Sequence, residues 1–377
     1  MIDVLVAGGG PVGLATAIGC ALAGLSVTVA EPRAAPVDKA CGEGVMPAAV
    51  RRLAALGVAP DGCRLRGIRY LEGRHRADAS FRHGDGLGVR RTVLHAALAE
   101  RAAALGIPVL PVRVTAVAQH PGHVTAAGVE ARYLVAADGL HSPIRRALER
   151  DLAPGRRGQR HPHARNGSPA AAPRYGLRRH YRIAPWTDLV EVHWAADGEA
   201  YVTPVSGDVV GIGLLFAAPG RGVSAATASG TGDGARPDGA GRGFEGRLAA
   251  FPALLDRLGS AAPASAVRGA GPLRQDVRRR VHGRVLLVGD ASGYLDALTG
   301  EGIGVGLAQA QALVACIAAG RPGDYERAWR RVSVPAWRLT AGLLWSRNQP
   351  LLGPRIVPAA QRLPWLFTTL VNQAGQA

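Results

Sequence analysis

The sequence predicts an α/β protein. A parallel sheet wrapped by helices is assembled from distant segments, an antiparallel sheet is inserted between them, and the C-terminal region is helical. Three observations lead there. Short unbroken apolar runs, the mark of strands buried on both faces, occur at residues 2–7, 26–31, 133–137 and 284–288. Between the last two lies LVEVHWAADGEAYVTPVSGDVVGIGLLF, whose alternation and turn signals read as hairpins of one sheet. After Asp324 the pattern is helical, with breaks expected at Pro335, Pro350, Pro354, Pro358 and Pro364.

The elements follow in order. The first apolar run leads into GGGPVG and a helix at residues 11–24, with Pro11 near its start and Gly24 at its end. The run at 26–31 then completes a βαβ unit. Residues 48–56 and 92–105 read as helices stopped by Gly57 and Gly106. Residues 64–89, 109–117 and 123–127 are shorter and strand-like. The run at 133–137 precedes DGLHSPIRRAL, and the run at 284–288 precedes GDASGYLDALTGEGIGVGL, whose tail at 303–319 reads as a helix. Residues 244–258 read as one helix. Residues 153–174, rich in Arg, Pro, Gly and His, read as a loop, and the Gly/Ala/Ser-rich stretch 219–243 as a mobile one.

Composition narrows the function classes. With 377 residues and 47% hydrophobic content the chain can bury a substantial core. No apolar run reaches the roughly 20 residues that span a bilayer. The opening MIDVLVAGGG has no basic segment ahead of its apolar run, so no signal peptide is expected. Cys20, Cys41, Cys63 and Cys316 form no metal or redox pair, which fits a reducing, cytoplasmic setting. The net charge of +17 is carried almost wholly by arginine, Lys39 being the only lysine. The arginines are scattered and no nucleic-acid motif accompanies them, so they read as solvated surface and not as a nucleic-acid site. His161 and His163 sit in an arginine-rich loop and read as surface, so no metal is expected.

Two glycine-rich turns carry the chemistry. Gly8, Gly10 and Gly13 form G-x-G-x-x-G between a strand and a helix: a tight turn, a close approach for a pyrophosphate, and tight helix–strand packing. Glu31 ends the next strand, where its carboxylate can accept from ribose hydroxyls. The second turn, VGDASGYLDALTGEGIGVGL, puts Gly289 and Asp290 after a buried strand and Thr299, Gly300, Glu301 and Gly302 at a helix start. A nicotinamide enzyme has no use for it. FAD is long enough to reach both turns. Asp290 can accept from a ribityl hydroxyl, and the helix start can stabilise negative charge on the pyrimidine edge of the flavin.

Gly8, Gly10 and Gly13 with Glu31, AADGLHSPIRR (Asp138, Gly139, Ser142, Arg145) and VGDAS (Gly289, Asp290) resemble the three fingerprints of single-component FAD monooxygenases of the para-hydroxybenzoate hydroxylase fold. The resemblance runs to about residue 320. It implies a Rossmann-like FAD-binding domain at 1–63, 91–150 and 271–325, a substrate domain at 64–90 and 151–270, and a helical region at 326–377. Arg91 matches a family arginine that approaches the cofactor, with a surface helix-start arginine as its other reading. The implied cofactor envelope extends to Pro11, Val12, Arg33, Gly42, Val114 and Ile303. Asp138 either contacts the cofactor or caps the helix after it.

LDALTGEGI and DKACGEGVMP depart from the usual aromatic hydroxylases and are similar to the geranylgeranyl-reductase-like branch, which includes actinobacterial polyketide-tailoring enzymes. In those reductases a cysteine matching Cys41 lies near the flavin; here Cys41 either lines the active site or packs behind it. The halogenase signature Trp-x-Trp-x-Ile-Pro is not evident. His193 and Tyr201, on the inserted sheet, are further candidates to face substrate. The resemblance implies an FAD- and NAD(P)H-dependent monooxygenase that hydroxylates an aromatic, polyketide-derived molecule with O2 through a flavin C4a-hydroperoxide. NADPH or NADH would bind transiently. The alternative is reduction of isoprenoid C=C bonds, for which PWLFTTLV would wall a lipid tunnel; ordinary helix packing is the preferred reading of that stretch, ahead of membrane contact.

Overall fold

Four of the expected buried strands lie side by side in one sheet. This computed structural model describes residues 1–151, 172–217 and 243–375. The strand Ile2–Ala7 sits at the sheet's centre, paired in parallel with Val27–Ala30 on one side and Val129–Ala136 on the other. Val285–Leu287 and Val109–Leu110 extend the parallel set at the two flanks. The central strands are buried on both faces, by helices on one and by the segment around Val114, Val124 and Ala126 together with helix Pro143–Asp151 on the other, which is why they read as continuous apolar runs. The helix Arg91–Ala104 contributes Leu94 and Leu98, fully buried, to one side. Each such side chain contributes roughly 1.5–3 kcal/mol through burial.

The helix Pro11–Leu22 packs on Gly302–Ala318 at close range. A Cβ on Gly306 would lie 2.5 Å from a Val12 methyl, and one on Gly19 would lie 3.2 Å from Val314. Small residues at both crossings let the two backbones approach. Val12 also packs on Gly289, so one side chain joins the two glycine-rich turns.

The inserted sheet is built from Arg174–Arg182, Val209–Ala217, Gly198–Ser206 and Leu189–Ala195, antiparallel as the alternation predicts. It continues into Gly67–Glu72 and His75–Ser80. The junction of Leu189–Ala195 with Gly67–Glu72 is parallel, because two hairpins from distant segments meet edge to edge there. A small third sheet (Gly44–Val45, Gly86–Gly88, Cys63–Leu65) is formed by the segments that flank Gly67–Glu72 and His75–Ser80 in sequence.

Several expectations need correction. Pro335 does not interrupt its helix: Tyr325–Arg347 runs through it. Its ring is on the exposed side, while Ser333, Ala336 and Thr340 are buried, so packing outweighs the lost backbone bond. Residues 244–258 form two short helices, Phe244–Leu248 and Pro252–Leu258, with Pro252 opening the second. The expected strand at 109–117 stops after Leu110, where Pro111 cannot donate to a ladder. The expected loops lie outside the described residues at 153–171 and 219–242, as do His161 and His163.

The C-terminal helices Ile356–Arg362 and Pro364–Ala374 cover the edge of the inserted sheet. Asn372 fastens them there: its side chain accepts from the Arg82 N–H at 2.7 Å and donates to the Ser80 carbonyl at 2.9 Å. Val357, Phe367 and Val371 join Ile68, Ala79 and Val192 in one apolar cluster.

Candidate active site

Sheet register sets the site. Ala7 pairs with Ala30 and Ala136, and Ala136 with Leu287, so the carboxyl ends of neighbouring strands form a row. The residues just beyond them (Gly8, Glu31, Asp138, Gly289 and Asp290) therefore converge, although 282 positions separate the first from the last. In open α/β sheets this edge is where ligands bind.

The first turn is built as its spacing requires. Gly8 has φ +106°, and a Cβ there would lie 2.5 Å from the Ala137 carbonyl oxygen. A Cβ on Gly13 would lie 1.9 Å from the Gly8 oxygen. Gly10 is different: the nearest atom to its missing Cβ is Nη2 of Arg91, 3.7 Å away. Open space, a helix N-terminus and a guanidinium meet at that point. Arg91 Nε is buried without a partner among the described residues, a donor left for an anion. The expected pyrophosphate fits this cradle.

Glu31 accepts from the Gly9 N–H at 2.8 Å and from Arg33 Nε at 2.7 Å. Burial raises its carboxyl, but the bonds from Arg33 and Gly9 outweigh that and hold it below the ordinary range. His95 Nε2 meets the Gly9 carbonyl at 2.8 Å from the other side. Gly9 and His95 were missed by sequence reasoning; a residue inside the glycine triplet gives no signal of its own.

The second turn has equally specific supports. The Gly289 N–H donates to Gln309 Oε1 at 2.8 Å. Arg145, the fingerprint arginine, donates to Leu140 O at 2.9 Å, Gln275 Oε1 at 2.7 Å and Asp290 O at 3.3 Å, tying the two loops together. Asp290 lines the cavity. Burial pushes its carboxyl up, opposed by Lys39, Arg91 and Arg145. Asp138 serves as a cap in part: Oδ2 accepts from the Ile144 N–H at 3.4 Å, while Oδ1 is buried without a hydrogen-bond partner among the described residues.

DKACGEGVMP crosses this row. Lys39 Nζ lies 3.2 Å from where a Gly139 Cβ would be, and burial, then Arg33 and Arg91, push its ammonium down. Cys41 lines the cavity; burial raises its thiol, so it stays protonated. Glu43 has φ +61° and is fully enclosed. It accepts from the Arg91 N–H at 2.9 Å and meets His180 Nε2 at 2.6 Å, joining the two sheets. Arg178 bonds Asp38 and the Lys39 carbonyl in the same network. Glu43, His180 and Arg178 were also missed, because they find one another only across the interface.

One cavity of about 1700 Å³ runs through all of this. It is lined by Gly8, Gly10, Pro11, Val12, Glu31, Arg33, Cys41, Gly42, Arg91, Val114, Asp138, Gly139, Tyr201, Gly289, Asp290, Gly300, Gly302 and Ile303. Gly13 packs behind the turn instead. Tyr201 presents its ring, its hydroxyl donating to the Leu298 carbonyl at 2.7 Å. His193 is not brought in. Val190 and Val192 line the cavity, so the two-residue period of the strand turns His193 to the other face, 3.5 Å from Glu191. Among the described residues no cluster suited to a metal is present.

The volume exceeds the roughly 300–1,000 Å³ of ordinary ligand pockets. It has room for a dinucleotide and a second molecule. From the row of strand ends the cavity continues between the inserted sheet and the C-terminal helices, where Leu339, Leu343, Ile356, Leu363, Leu366 and Leu370 line an aliphatic arm.

Fold and site together define an FAD-dependent oxidoreductase. A family model described as an FAD binding domain matches residues 1–164. A menaquinone reductase of Mycobacterium tuberculosis (strain ATCC 25618 / H37Rv) is 30% identical over 400 residues, covering 99% of this chain and 89% of its own. The chain belongs to the same flavoprotein family as that reductase. Among solved structures, CmlS, a flavin-dependent halogenase, aligns with TM-score 0.75 and 22% identity over 99% of this chain and 72% of its own. OxyS anhydrotetracycline hydroxylase from Streptomyces rimosus aligns with TM-score 0.67 and 23% identity over 99% and 76%. These two likenesses concern the fold.

Proposed function

We propose that this protein is a reductase of the geranylgeranyl-reductase-like branch, acting on a C=C bond of a long isoprenoid chain with NADPH or NADH as reductant. The aliphatic arm carries this reading. A chain-like substrate fills it, whereas a compact aromatic would leave it empty. The relative named menaquinone reductase supports the same direction.

The balance is simple. NAD(P)H and one proton are consumed, and two hydrogens are added across the double bond. FAD, when bound, supplies the two-electron relay between the two. The chain's residues do the rest. The Gly10 cradle and Arg91 would hold the pyrophosphate, Glu31 a ribose, and Asp290 the ribityl chain. The start of helix Gly302–Ala318 would face the pyrimidine edge, where its N–H groups favour negative charge. The neutral Cys41 thiol lines the same space and can donate a proton. A chain seated in the arm would exclude water, which strengthens every electrostatic interaction inside.

The second reading is hydroxylation of an aromatic, polyketide-derived molecule with O2. The Tyr70, Tyr201 and Tyr294 residues that line the cavity favour it, since aromatic walls suit a flat ring system. Oxygen separates the two. Anaerobic incubation with NAD(P)H and a polyprenyl quinone should yield a product two hydrogens heavier. Oxygen-18 from labelled O2 in the product, with no anaerobic turnover, would overturn reduction in favour of hydroxylation.

A further inference from the structure

The aliphatic arm leads to an unusual surface. Thirteen large hydrophobic residues are exposed among the described residues, and seven of them fall between positions 345 and 370. Trp345 is 60% exposed, Leu351 72% and Trp365 65%. Leu363, Leu366 and Leu370 are exposed and also line the cavity. The apolar interior therefore emerges through an apolar exterior. A water-soluble substrate would need neither, and isolated exposed apolar residues would be scattered over the chain.

Charge identifies what this surface fits. From residue 327 to 377 the sequence has seven arginines and no Asp, Glu or Lys. Arg355 and Arg362 are exposed between the apolar residues. A surface that combines tryptophan, leucine and arginine, with no acidic residue, matches the interface of an anionic bilayer: rings at headgroup level, guanidiniums on phosphates. No described helix is long and apolar enough to cross a membrane, so the fit is to its surface.

We propose that residues 345–370 form a docking face for an anionic lipid bilayer, and that the mouth framed by Leu363, Leu366 and Leu370 admits an apolar chain directly from the lipid. The second half rests on the isoprenoid reading above; the first half does not.

The test is co-sedimentation of FAD-loaded protein with vesicles of phosphatidylcholine, alone or mixed with phosphatidylglycerol. Binding should require phosphatidylglycerol and weaken on raising salt from about 0.1 to 1 M, since exposed charges are screened over a shorter distance. The pair Leu351→Glu/Trp365→Glu should lower vesicle affinity by at least about tenfold, through lost apolar insertion and added repulsion. Flavin content should stay unchanged, which reports folding. Equal failure of wild type and variant to bind either vesicle overturns the proposal. So does a wild-type dimer that the pair converts to a monomer without any vesicle binding, because the face then serves a second copy of the chain. Vesicle binding without prenyl reduction leaves docking intact and removes the isoprenoid reading alone. Turnover of a short, water-soluble prenyl substrate should be the same in wild type and variant.

Discussion

The two ends of the cavity are made in opposite ways. At the strand edge nearly every group is fixed by a directed bond: Gly9 between Glu31 and His95, Gly289 by Gln309, and Arg145 across two loops. In the arm, aliphatic side chains from three helices meet without such ties. A cofactor that stays bound needs one arrangement of donors and acceptors. A substrate that differs mainly in length needs shape and dryness. The polar end should fail abruptly when altered, and the arm gradually.

The largest effect is expected at the first turn. Gly13→Ala would drive a methyl into the Gly8 carbonyl, so flavin absorbance of the purified protein should be lost and stability should fall by about 4 kcal/mol or more in urea denaturation. Asp290→Ala should fold yet lose most of its FAD; full flavin content would break the contrast at its centre. Leu343→Trp should show the gradual behaviour of the arm. KM for a long prenyl substrate should rise about tenfold, while a short one is little affected, since filling an apolar slot shifts binding by roughly 1–3 kcal/mol.

Glu301 gives a pH test at the boundary between the ends. Both its carboxylate oxygens are buried without partners among the described residues, and burial pushes its carboxyl up to about 8. The folded state holds this proton at pH values where the unfolded chain has released it. The contribution of Glu301 to stability should therefore decline as pH rises from about 4.5 towards 8. Glu301→Gln should make stability fall less between those pH values than in wild type, and be more stable at pH 8 by on the order of 1–3 kcal/mol, read from urea midpoints. Identical pH profiles would show that the acid finds a partner. The smallest effect belongs to His193→Ala, on the far face of its strand. Flavin content should not change, and stability should shift by only about 0.5–1 kcal/mol.

The same contrast explains what was legible in the sequence. The strand edge is written in local spacing: G-x-G-x-x-G needs Gly8 and Gly13 where the chain itself would clash and Gly10 where a ligand can approach, so the turn can be read from six residues. Three fingerprints in order then give the parallel sheet. Glu43 and His180 are 137 positions apart and show no pattern until the sheets are docked. For Tyr201 and His193 the sequence gives strands but not which face is inward. Tyr201 is paired with Val192 and faces the cavity; His193, one residue on, does not. The C-terminal helices are legible as helices, but their periodicity does not tell a protein interior from a passage or an exposed face. Pro335 shows the limit of a local rule, since its helix is held by packing.

Val12 carries a consequence for how the chain is made. It sits against Gly289 and Gly306, and the strand Ile2–Ala7 is separated by one strand from Val285–Leu287. The floor of the cofactor site is therefore missing until Gly306, 294 positions after Val12, has left the ribosome. At roughly 5–20 residues per second, that leaves an incomplete apolar sheet exposed for on the order of ten seconds or more. A fragment that ends soon after Pro143–Asp151 would keep the glycine fingerprint yet remain in that unfinished state.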